Sequence, residues 1–230
     1  PEGDVLGVVM GKAVVINGLK CVGHGRCAEA CPVEGITVGL GDISIRDDIP
    51  LMSGQNETNI PGLYIAGELG GLALIRNAIN QGKMVIDHIK QVYNPVQSNT
   101  DEFDVIIIGA GPAGMSAALQ AKKLELKCLL IDQQDAGGTI LQYPRKKLVM
   151  TKPVEIPLYG ALTKPEYSKE ELLEIWLGLK EKYIEQIHTA EKLIGVNRNN
   201  GFLKVTTDKQ IYLSQNVILA LGRRLSLIHI

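Results

Sequence analysis

The sequence is poor in several features that would each point to a particular class of protein. Aromatic residues make up only 4% of the 230 residues, which argues against a platform of aromatic rings for stacking nucleic-acid bases. The 24 basic and 25 acidic residues nearly balance and form no basic stripe of the kind that binds nucleic acid. No apolar run reaches the roughly 18 residues that a membrane-spanning helix needs, and no signal peptide opens the chain. We therefore expect a cytoplasmic protein with neither a nucleic-acid nor a membrane partner.

Cysteine is also scarce, and the four cysteines are unevenly distributed. Cys21, Cys27 and Cys31 lie close together, and Pro32 follows the last of them. Clustered thiols followed by a proline are typical of metal ligation in a reducing compartment and not of a disulfide framework. Cys128 stands alone in an apolar run, so we interpret it as a core residue.

A glycine-rich motif with a physical mechanism lies near the middle of the chain. The apolar run 104–108 predicts a buried parallel strand, and a helix-forming stretch, 113–124, begins shortly afterwards. Between them, Gly109 permits a tight turn, Gly111 lets the backbone approach a pyrophosphate, and Gly114 lets the helix pack on the strand. The amides at the start of the helix would point at the phosphates. The binding residues expected from this motif are Gly109, Gly111, Pro112, Ala113 and Gly114.

An acidic residue completes the pattern. A second apolar run, 127–131, ends in Asp132, which lies 18 residues beyond Gly114. A carboxylate at this position accepts hydrogen bonds from a ribose. A lone glycine motif also occurs as a turn in unrelated α/β proteins. Strand, motif, helix, strand and acid in this order predict a dinucleotide site, although the motif does not separate FAD from NAD.

Residues 103–224 resemble the flavin domain of the thioredoxin reductase-like disulfide reductase superfamily. The segment Gly137-Gly138-Thr139 matches the loop that passes beside the flavin in that family. The segment Ala220-Leu221-Gly222 resembles its Ala-Thr-Gly element, with leucine in place of threonine. The resemblance implies FAD as the cofactor. It adds cofactor contacts at Gln133, Gly138, Thr139, Ala220 and Gly222.

A second segment that resembles the family lies before the glycine motif in this chain. In the family, the corresponding segment lies after the glycine motif. The segment 58–82 contains Pro61-Gly-Leu-Tyr-Ile-Ala-Gly67-Glu68 and resembles the closing motif of these flavin domains. The resemblance places Glu68 at the ribityl chain of the flavin, and Gly67 is expected to be a further cofactor contact. It also aims the helix after Gly71 at the isoalloxazine carbonyl edge, where a positive helix end stabilises anionic reduced flavin. Because each motif occurs once, we predict one circularly permuted, Rossmann-like three-layer α/β domain that binds FAD.

The cysteine cluster has the spacing of a bacterial ferredoxin motif, with His24 where the second cysteine would stand. The segment after Pro1 resembles the segment after Pro32, as do the two halves of a dicluster ferredoxin. We therefore expect Cys21, Cys27 and Cys31 to ligate 4Fe-4S or 3Fe-4S clusters, Cys31 serving a different cluster from the other two. His24 leaves three alternatives: a gap that gives a three-iron cluster, an imidazole ligand, or a turn residue beside a four-iron cluster. A zinc site is the alternative for the cysteines as a set.

These patterns divide the chain into segments. We predict half of a dicluster ferredoxin-like α+β module over 1–46, the closing segment of the FAD domain over 47–92, a linker over 93–102, and the FAD-binding domain over 103–224. The last residues, 225–230, match a translated sequencing-transposon end, and we interpret them as an artefact. Within the FAD domain, Ser168 and Glu171 predict a capping box for a helix, and the turn at 199–201 predicts antiparallel strands over 192–218.

The combined interpretation is a fragment of a ferredoxin–flavoprotein fusion that is inactive alone. We expect an FAD-dependent oxidoreductase that moves electrons between NAD(P)H, FAD and iron–sulfur clusters, with NAD(P)H held by a domain beyond Arg224. The alternatives are a thioredoxin reductase-like disulfide reductase, whose redox cysteine pair would also lie beyond Arg224, and a non-catalytic flavin-binding sensor. The expected partner is a redox protein or a small disulfide substrate, and a homodimer is allowed. The patterns identify no catalytic acid or base.

Overall fold

The computed structural model describes residues 5–16, 26–36, 50–70, 74–92, 102–142, 148–150, 153–164, 166–199 and 201–222. Cys21, His24, nearly all of the predicted linker and the last six residues lie outside the described residues. In chain order the strands are β1 (Leu6–Val9), β2 (Lys12–Val15), β3 (Leu63–Ile65), β4 (Phe103–Ile108), β5 (Cys128–Ile131), β6 (Leu148–Met150), β7 (Val154–Ile156), β8 (Gly160–Leu162), β9 (Glu166–Ser168), β10 (Ile187–His188), β11 (Leu193–Asn199), β12 (Phe202–Thr207) and β13 (Ile211–Leu219). The helices are α1 (Arg26–Glu29), α2 (Ile75–Val92), α3 (Pro112–Lys123) and α4 (Lys169–Tyr183).

The largest sheet in the described part of the chain has seven strands in the order β10-β5-β4-β13-β12-β11, with β3 also paired to β13. Strands β3, β4, β5 and β10 run parallel to their neighbours in this sheet. One row of paired residues crosses five of the strands near their carboxyl ends: Ile65, Leu219, Ile108, Ile131 and His188. The residues that follow these strands therefore meet at one edge of the sheet.

Strand β13 pairs with one neighbour in the antiparallel orientation and with two others in the parallel orientation. Its first half pairs antiparallel with β12, where Leu203 lies opposite Ser214. Its second half pairs parallel with both β3 and β4 through Val217. The predicted antiparallel strands around the 199–201 turn are confirmed as β11, β12 and the start of β13.

Two helices from opposite sides of the predicted linker pack against each other. Helix α2 buries Val85, Ile86 and Ile89 in the same core as residues of α3. At the crossing, a Cβ added to Gly82 would lie 2.1 Å from the carbonyl oxygen of Ala113, so only glycine fits. The Ser116 hydroxyl of α3 donates to the Ile79 carbonyl of α2 at 2.8 Å. The segment before the linker is thus joined to the glycine motif through a helix pair and through β3.

Hydrophobic cores lie on both faces of the parallel strands. One contains Ile107 together with buried residues of α2, α3 and α4. The other contains Ile106 and Leu129 together with Leu203 and Val205 of β12. Because successive side chains of a strand point to opposite faces, β4 contributes alternately to the two cores. Helices pack on a sheet that contains both parallel and antiparallel strands, which confirms the predicted α/β fold class.

The predicted capping box begins α4. The Ser168 hydroxyl accepts from the Glu171 backbone N–H, and the Glu171 carboxylate accepts from the Ser168 backbone N–H. The hydrogen bond from the Ser168 backbone N–H, followed by those from the Lys164 and Ser168 side chains, lowers the pKa of Glu171 to about 2. Leu172 and Trp176 are buried on the inner face of the helix, so they are core residues and not part of a cofactor site.

The cysteine region is described only in part. Strands β1 and β2 form an antiparallel hairpin, Cys27 lies in α1, and the Gly35 backbone N–H approaches the Cys31 Sγ at 3.3 Å. Strand β2 begins at Lys12 and ends at Val15. Cys27 and Cys31 are free thiols, and the described residues contain no group of three side chains arranged to hold a metal. With Cys21 outside the described residues, the iron–sulfur assignment stays a prediction.

Two further expectations can be compared with the described residues. Cys128 is half-buried and packs against the main core. Burial, together with the nearby Asp104 carboxylate, raises the pKa of its thiol to about 12, so it carries no thiolate at neutral pH. Among the helices of the described ranges, none combines the length and the hydropathy that a bilayer span requires.

Candidate functional site

A cavity of about 560 Å³ opens at the carboxyl edge of the parallel strands. Its lining includes residues that directly follow four strand ends: Gly67 and Glu68 after β3, Gly109 and Gly111 after β4, Asp132 after β5, and Ala220 and Gly222 after β13. They meet because the strands end in register. Open α/β sheets bind their ligands at this edge.

The strand order fixes the layout of the cavity. Asp132 follows β5, the glycine motif follows the adjacent β4, and Gly67 follows β3, which is two positions beyond β4. Neighbouring strands are about 4.8 Å apart, so three spacings separate Asp132 from Gly67 by roughly 14 Å. The cavity therefore suits an elongated ligand that passes over the glycine motif.

Two glycines of the motif are required by the protein itself. Gly109 has a φ of +110°, and a Cβ there would lie 2.4 Å from the Ala220 carbonyl oxygen. A Cβ on Gly114 would lie 1.7 Å from the Gly109 carbonyl oxygen. Gly109 thus forms the tight turn, and Gly114 lets α3 pack on it, as the sequence predicted.

Gly111 is different, because nothing in the protein requires a glycine there. Its φ of −79° and ψ of −173° are ordinary extended values. The nearest atom to an added Cβ, the Cα of Gly138, would be 3.9 Å away, which is a normal contact. The space that a side chain would fill belongs to the cavity. This is the arrangement expected where a ligand must approach the backbone closely.

The start of α3 gives this part of the cavity its electrostatic character. Gly111 is the N-cap residue, no side chain caps the helix, and its first turn contains no acidic residue. Pro112 occupies the first turn, where its missing N–H costs no helical hydrogen bond. Uncapped backbone N–H groups and the helix dipole together favour a negatively charged group in front of the helix.

Asp132 is held rigidly at one end of the cavity. Its Oδ2 accepts from the Ala110 backbone N–H at 2.5 Å, and its Oδ1 accepts from the Gln134 backbone N–H at 2.7 Å. Burial raises the pKa of Asp132, and these two hydrogen bonds oppose the increase. A carboxylate has about four lone-pair sites, so each oxygen can accept a further hydrogen bond from a ligand hydroxyl.

Gly67 and Glu68 form the other end. Gly67 has a φ of +94°, and its backbone N–H donates to the Gln81 side chain at 2.7 Å. Gln81 belongs to α2 and was not predicted as a site residue. The sequence offers only a weak indication of this role for Gln81. It is a single amide side chain directly before Gly82, in a helix that packs on α3.

The remaining predicted residues can now be placed. The cavity is also lined by Pro112, Ala113, Gln133, Gly138 and Thr139. Gly114 is the exception among the predicted cofactor contacts, because it packs behind the wall, and Cys27 and Cys31 do not line this cavity. Lining residues of three kinds were not predicted as site residues: the apolar Leu74, Ile75 and Ala78, the amides Gln134 and Gln142, and the segment Glu191, Lys192 and Leu193.

Part of the chain is similar to known proteins. Residues 106–224, just over half of the chain, match the family described as pyridine nucleotide-disulphide oxidoreductase. A ferredoxin–NADP reductase of Rickettsia typhi is 31% identical over 118 residues, covering 50% of this chain and 32% of that protein. A ferredoxin–NADP reductase of Orientia tsutsugamushi is 30% identical over 130 residues, covering 55% and 36%. The chain thus spans about a third of the length of these relatives.

Two solved structures are similar to part of this chain. A bacillithiol disulfide reductase from Staphylococcus aureus is 21% identical with a TM-score of 0.48, covering 54% of this chain and 39% of its own. A thioredoxin reductase from T. acidophilum is 26% identical with a TM-score of 0.41, covering 52% and 35%. The match over 106–224 contains the glycine motif, Asp132 and the last strand of the sheet. The chain belongs to the pyridine nucleotide-disulphide oxidoreductase family.

Proposed function

We propose that the cavity binds FAD in an extended form and that the chain is the flavin-binding part of an oxidoreductase. The observation that carries the proposal is the open space in front of Gly111, between a fixed carboxylate and the Gly67–Glu68 turn. In this arrangement the pyrophosphate lies over Gly111 at the start of α3. The ribose of the nucleoside half bonds to Asp132.

The other half of the cavity supports a flavin in preference to a nicotinamide nucleotide alone. Leu74, Ile75 and Ala78 provide apolar lining and lie close along the chain to Gln81, which contacts Gly67. Glu68 provides a carboxylate. An apolar wall with a few polar groups suits a large ring system. FAD, when bound, supplies both hydride and single-electron transfer, whereas the protein supplies position and electrostatics.

For the whole protein, we propose electron transfer between NAD(P)H, FAD and a one-electron carrier such as an iron–sulfur cluster. The names of the curated relatives, ferredoxin–NADP reductases, support this reaction class. The cysteine spacing at 21–31 supports an iron–sulfur carrier in the same chain.

Two glycine substitutions with equal chemistry test FAD binding. Gly111→Ala adds a methyl group inside the cavity, whereas Gly178→Ala adds one to the exposed side of α4, where nothing lies within 4 Å. FAD affinity is measured by titrating each purified chain and following the flavin fluorescence. We expect wild type and Gly178→Ala to bind one FAD per chain, and Gly111→Ala to bind FAD at least about tenfold more weakly.

Two controls sharpen the test. Thermal unfolding without FAD should show that Gly111→Ala is folded, because its methyl group meets no protein atom closely. NADP⁺ should fail to displace FAD from wild type at concentrations near the FAD dissociation constant. Equal FAD affinity in the two glycine variants, or no FAD binding by wild type, would refute the proposed site.

A further inference from the structure

A buried carboxylate lies beside the cavity, in the turn between β10 and β11. Glu191 is only 2% exposed. Its Oε1 accepts from the Thr207 hydroxyl at 2.6 Å and from the Tyr212 hydroxyl at 2.8 Å, and its Oε2 lies 3.2 Å from the His188 Nδ1. Burying a carboxylate is costly unless hydrogen bonds compensate for it. Here the partners come from three parts of the sheet, so the carboxylate fixes the turn to β10, β12 and β13.

The partners reinforce this arrangement. Burial, followed by the hydrogen bond to Glu191, raises the pKa of Tyr212 to about 12, so its phenol stays a donor at neutral pH. The Tyr212 hydroxyl also lies 2.7 Å from the His188 Nδ1. The three side chains therefore form one closed hydrogen-bonded cluster.

The turn that Glu191 holds has an unfavourable backbone conformation. Ala190, directly before Glu191, has a φ of +52°. Residues with a Cβ rarely adopt the left-handed region, and such conformations persist where the surrounding structure fixes them. His188 and Glu191 flank Ala190 and belong to the same cluster, which supplies that fixation.

The same turn is tied to the site. The Glu191 backbone N–H donates to the Asp132 carbonyl at 3.0 Å, and the Asp132 backbone N–H donates to the His188 carbonyl at 2.9 Å. Glu191, Lys192 and Leu193 line the cavity together with Asp132. A turn that moved away from the sheet would therefore move the wall next to Asp132.

We propose that Glu191 is a positioning residue that fixes this wall and so sets the affinity for the nucleoside diphosphate half of the dinucleotide. The inference rests on the proposed function, because it requires that half to lie at Asp132. Gln81 provides the natural contrast, since its side chain holds the Gly67 backbone at the opposite end of the cavity. Loss of either anchor should weaken FAD binding, but through different halves of the ligand.

The experiment compares Glu191→Gln with Gln81→Ala, using FAD and ADP as probes. ADP carries the nucleoside diphosphate half alone, and its affinity is measured by competition against FAD. Glu191→Gln keeps an acceptor for Thr207 and Tyr212 but loses the charge. We expect it to weaken FAD and ADP by the same factor, about tenfold. Gln81→Ala should weaken FAD while leaving ADP affinity within about twofold of wild type.

A larger truncation and a stability measurement complete the design. Glu191→Ala should lose more affinity than Glu191→Gln, and the loss should be equal for FAD and ADP. The glutamine variant then counts as a partial rescue. If the alanine variant does not fold, the affinities of the glutamine variant alone test the proposal. Urea unfolding confirms that the compared chains are folded. Two results for Glu191→Gln would overturn the positioning role but not the proposed function. One is an ADP affinity equal to that of wild type, and the other is a loss of FAD affinity well above the loss of ADP affinity. A wild-type chain that binds no FAD would overturn the proposed function, and failure of ADP to displace FAD would overturn the placement of the nucleoside half at Asp132.

Discussion

The packing of α2 on α3 gives a prediction of defined sign and size for Gly82→Ala. The added Cβ would lie 2.1 Å from the Ala113 carbonyl oxygen and 3.0 Å from the Ala117 backbone nitrogen. A carbon atom normally lies at least about 3.3 Å from a carbonyl oxygen. The two helices must therefore separate by roughly 1 Å, and the clash is with backbone, which cannot turn away as a flexible side chain could.

Several contributions set the magnitude. Overpacking of a close interface costs typically about 1–3 kcal/mol, and a backbone clash belongs at the upper end. Separation of the helices also weakens the hydrogen bond from Ser116 to the Ile79 carbonyl, which contributes about 1 kcal/mol. Alanine is favoured over glycine in a helix by about 1 kcal/mol, which offsets part of the loss. We expect the free energy of unfolding to fall by about 2–3 kcal/mol.

Gly178→Ala is the matched control. It makes the same substitution in the interior of a helix, but nothing lies within 4 Å of the added Cβ. Only the helix propensity remains, so this variant should gain about 1 kcal/mol. Urea unfolding at equilibrium measures both changes. If Gly82→Ala proved as stabilising as Gly178→Ala, α2 would not pack on α3, and residues 47–92 and 103–224 would not form one domain.

The remaining predictions concern the α4 cap and the site carboxylate. Ser168→Ala removes the hydroxyl that accepts from the Glu171 backbone N–H and should lower the free energy of unfolding by about 1 kcal/mol in urea; an unchanged midpoint would contradict the cap. Burial raises the pKa of Asp132 above its usual 3.8, so the protonated carboxyl favours the folded state, and that contribution is lost as the pH rises through the folded-state pKa. The free energy of unfolding of wild type relative to Asp132→Asn should therefore increase as the pH falls from 7 towards 3.8. Urea unfolding at several pH values measures this difference. A difference that is greatest at pH 7 would contradict the raised pKa.

Local sequence patterns were sufficient to predict a feature when all the residues that form it lie in one short stretch of the chain. The strand, turn, helix, strand and acid of 104–132 are contiguous, and the structure reproduces them with boundaries shifted by one residue. Gly109 and Gly114 were predictable because the turn itself forces the clash that a Cβ would make. The capping box at Ser168 and Glu171 was predictable for the same reason, since both partners lie within one helical turn.

Residues whose role depends on a distant partner escaped the sequence analysis. Gln81 acts on Gly67 from the neighbouring helix, and Glu191 acts through Thr207 and Tyr212 on other strands. A single glutamine or glutamate has no periodicity or spacing that distinguishes such a role from a solvent-exposed position. The apolar lining at Ile75 likewise resembles any buried face of an amphipathic helix.

The sequence by itself determined the dinucleotide motif, its acid and the α/β class, because the sterics of a tight turn and the periodicity of strands and helices act over a few residues. A shared cavity for Glu68 and Gly111 was expected only through the family resemblance, and the tertiary structure is what brings the two residues together. That outcome depends on the parallel pairing of β3 with β13, where Ile65 lies opposite Leu219, far along the chain. Strand pairing of this kind is fixed by hydrogen bonds and burial across the whole sheet, and no local pattern encodes the partner.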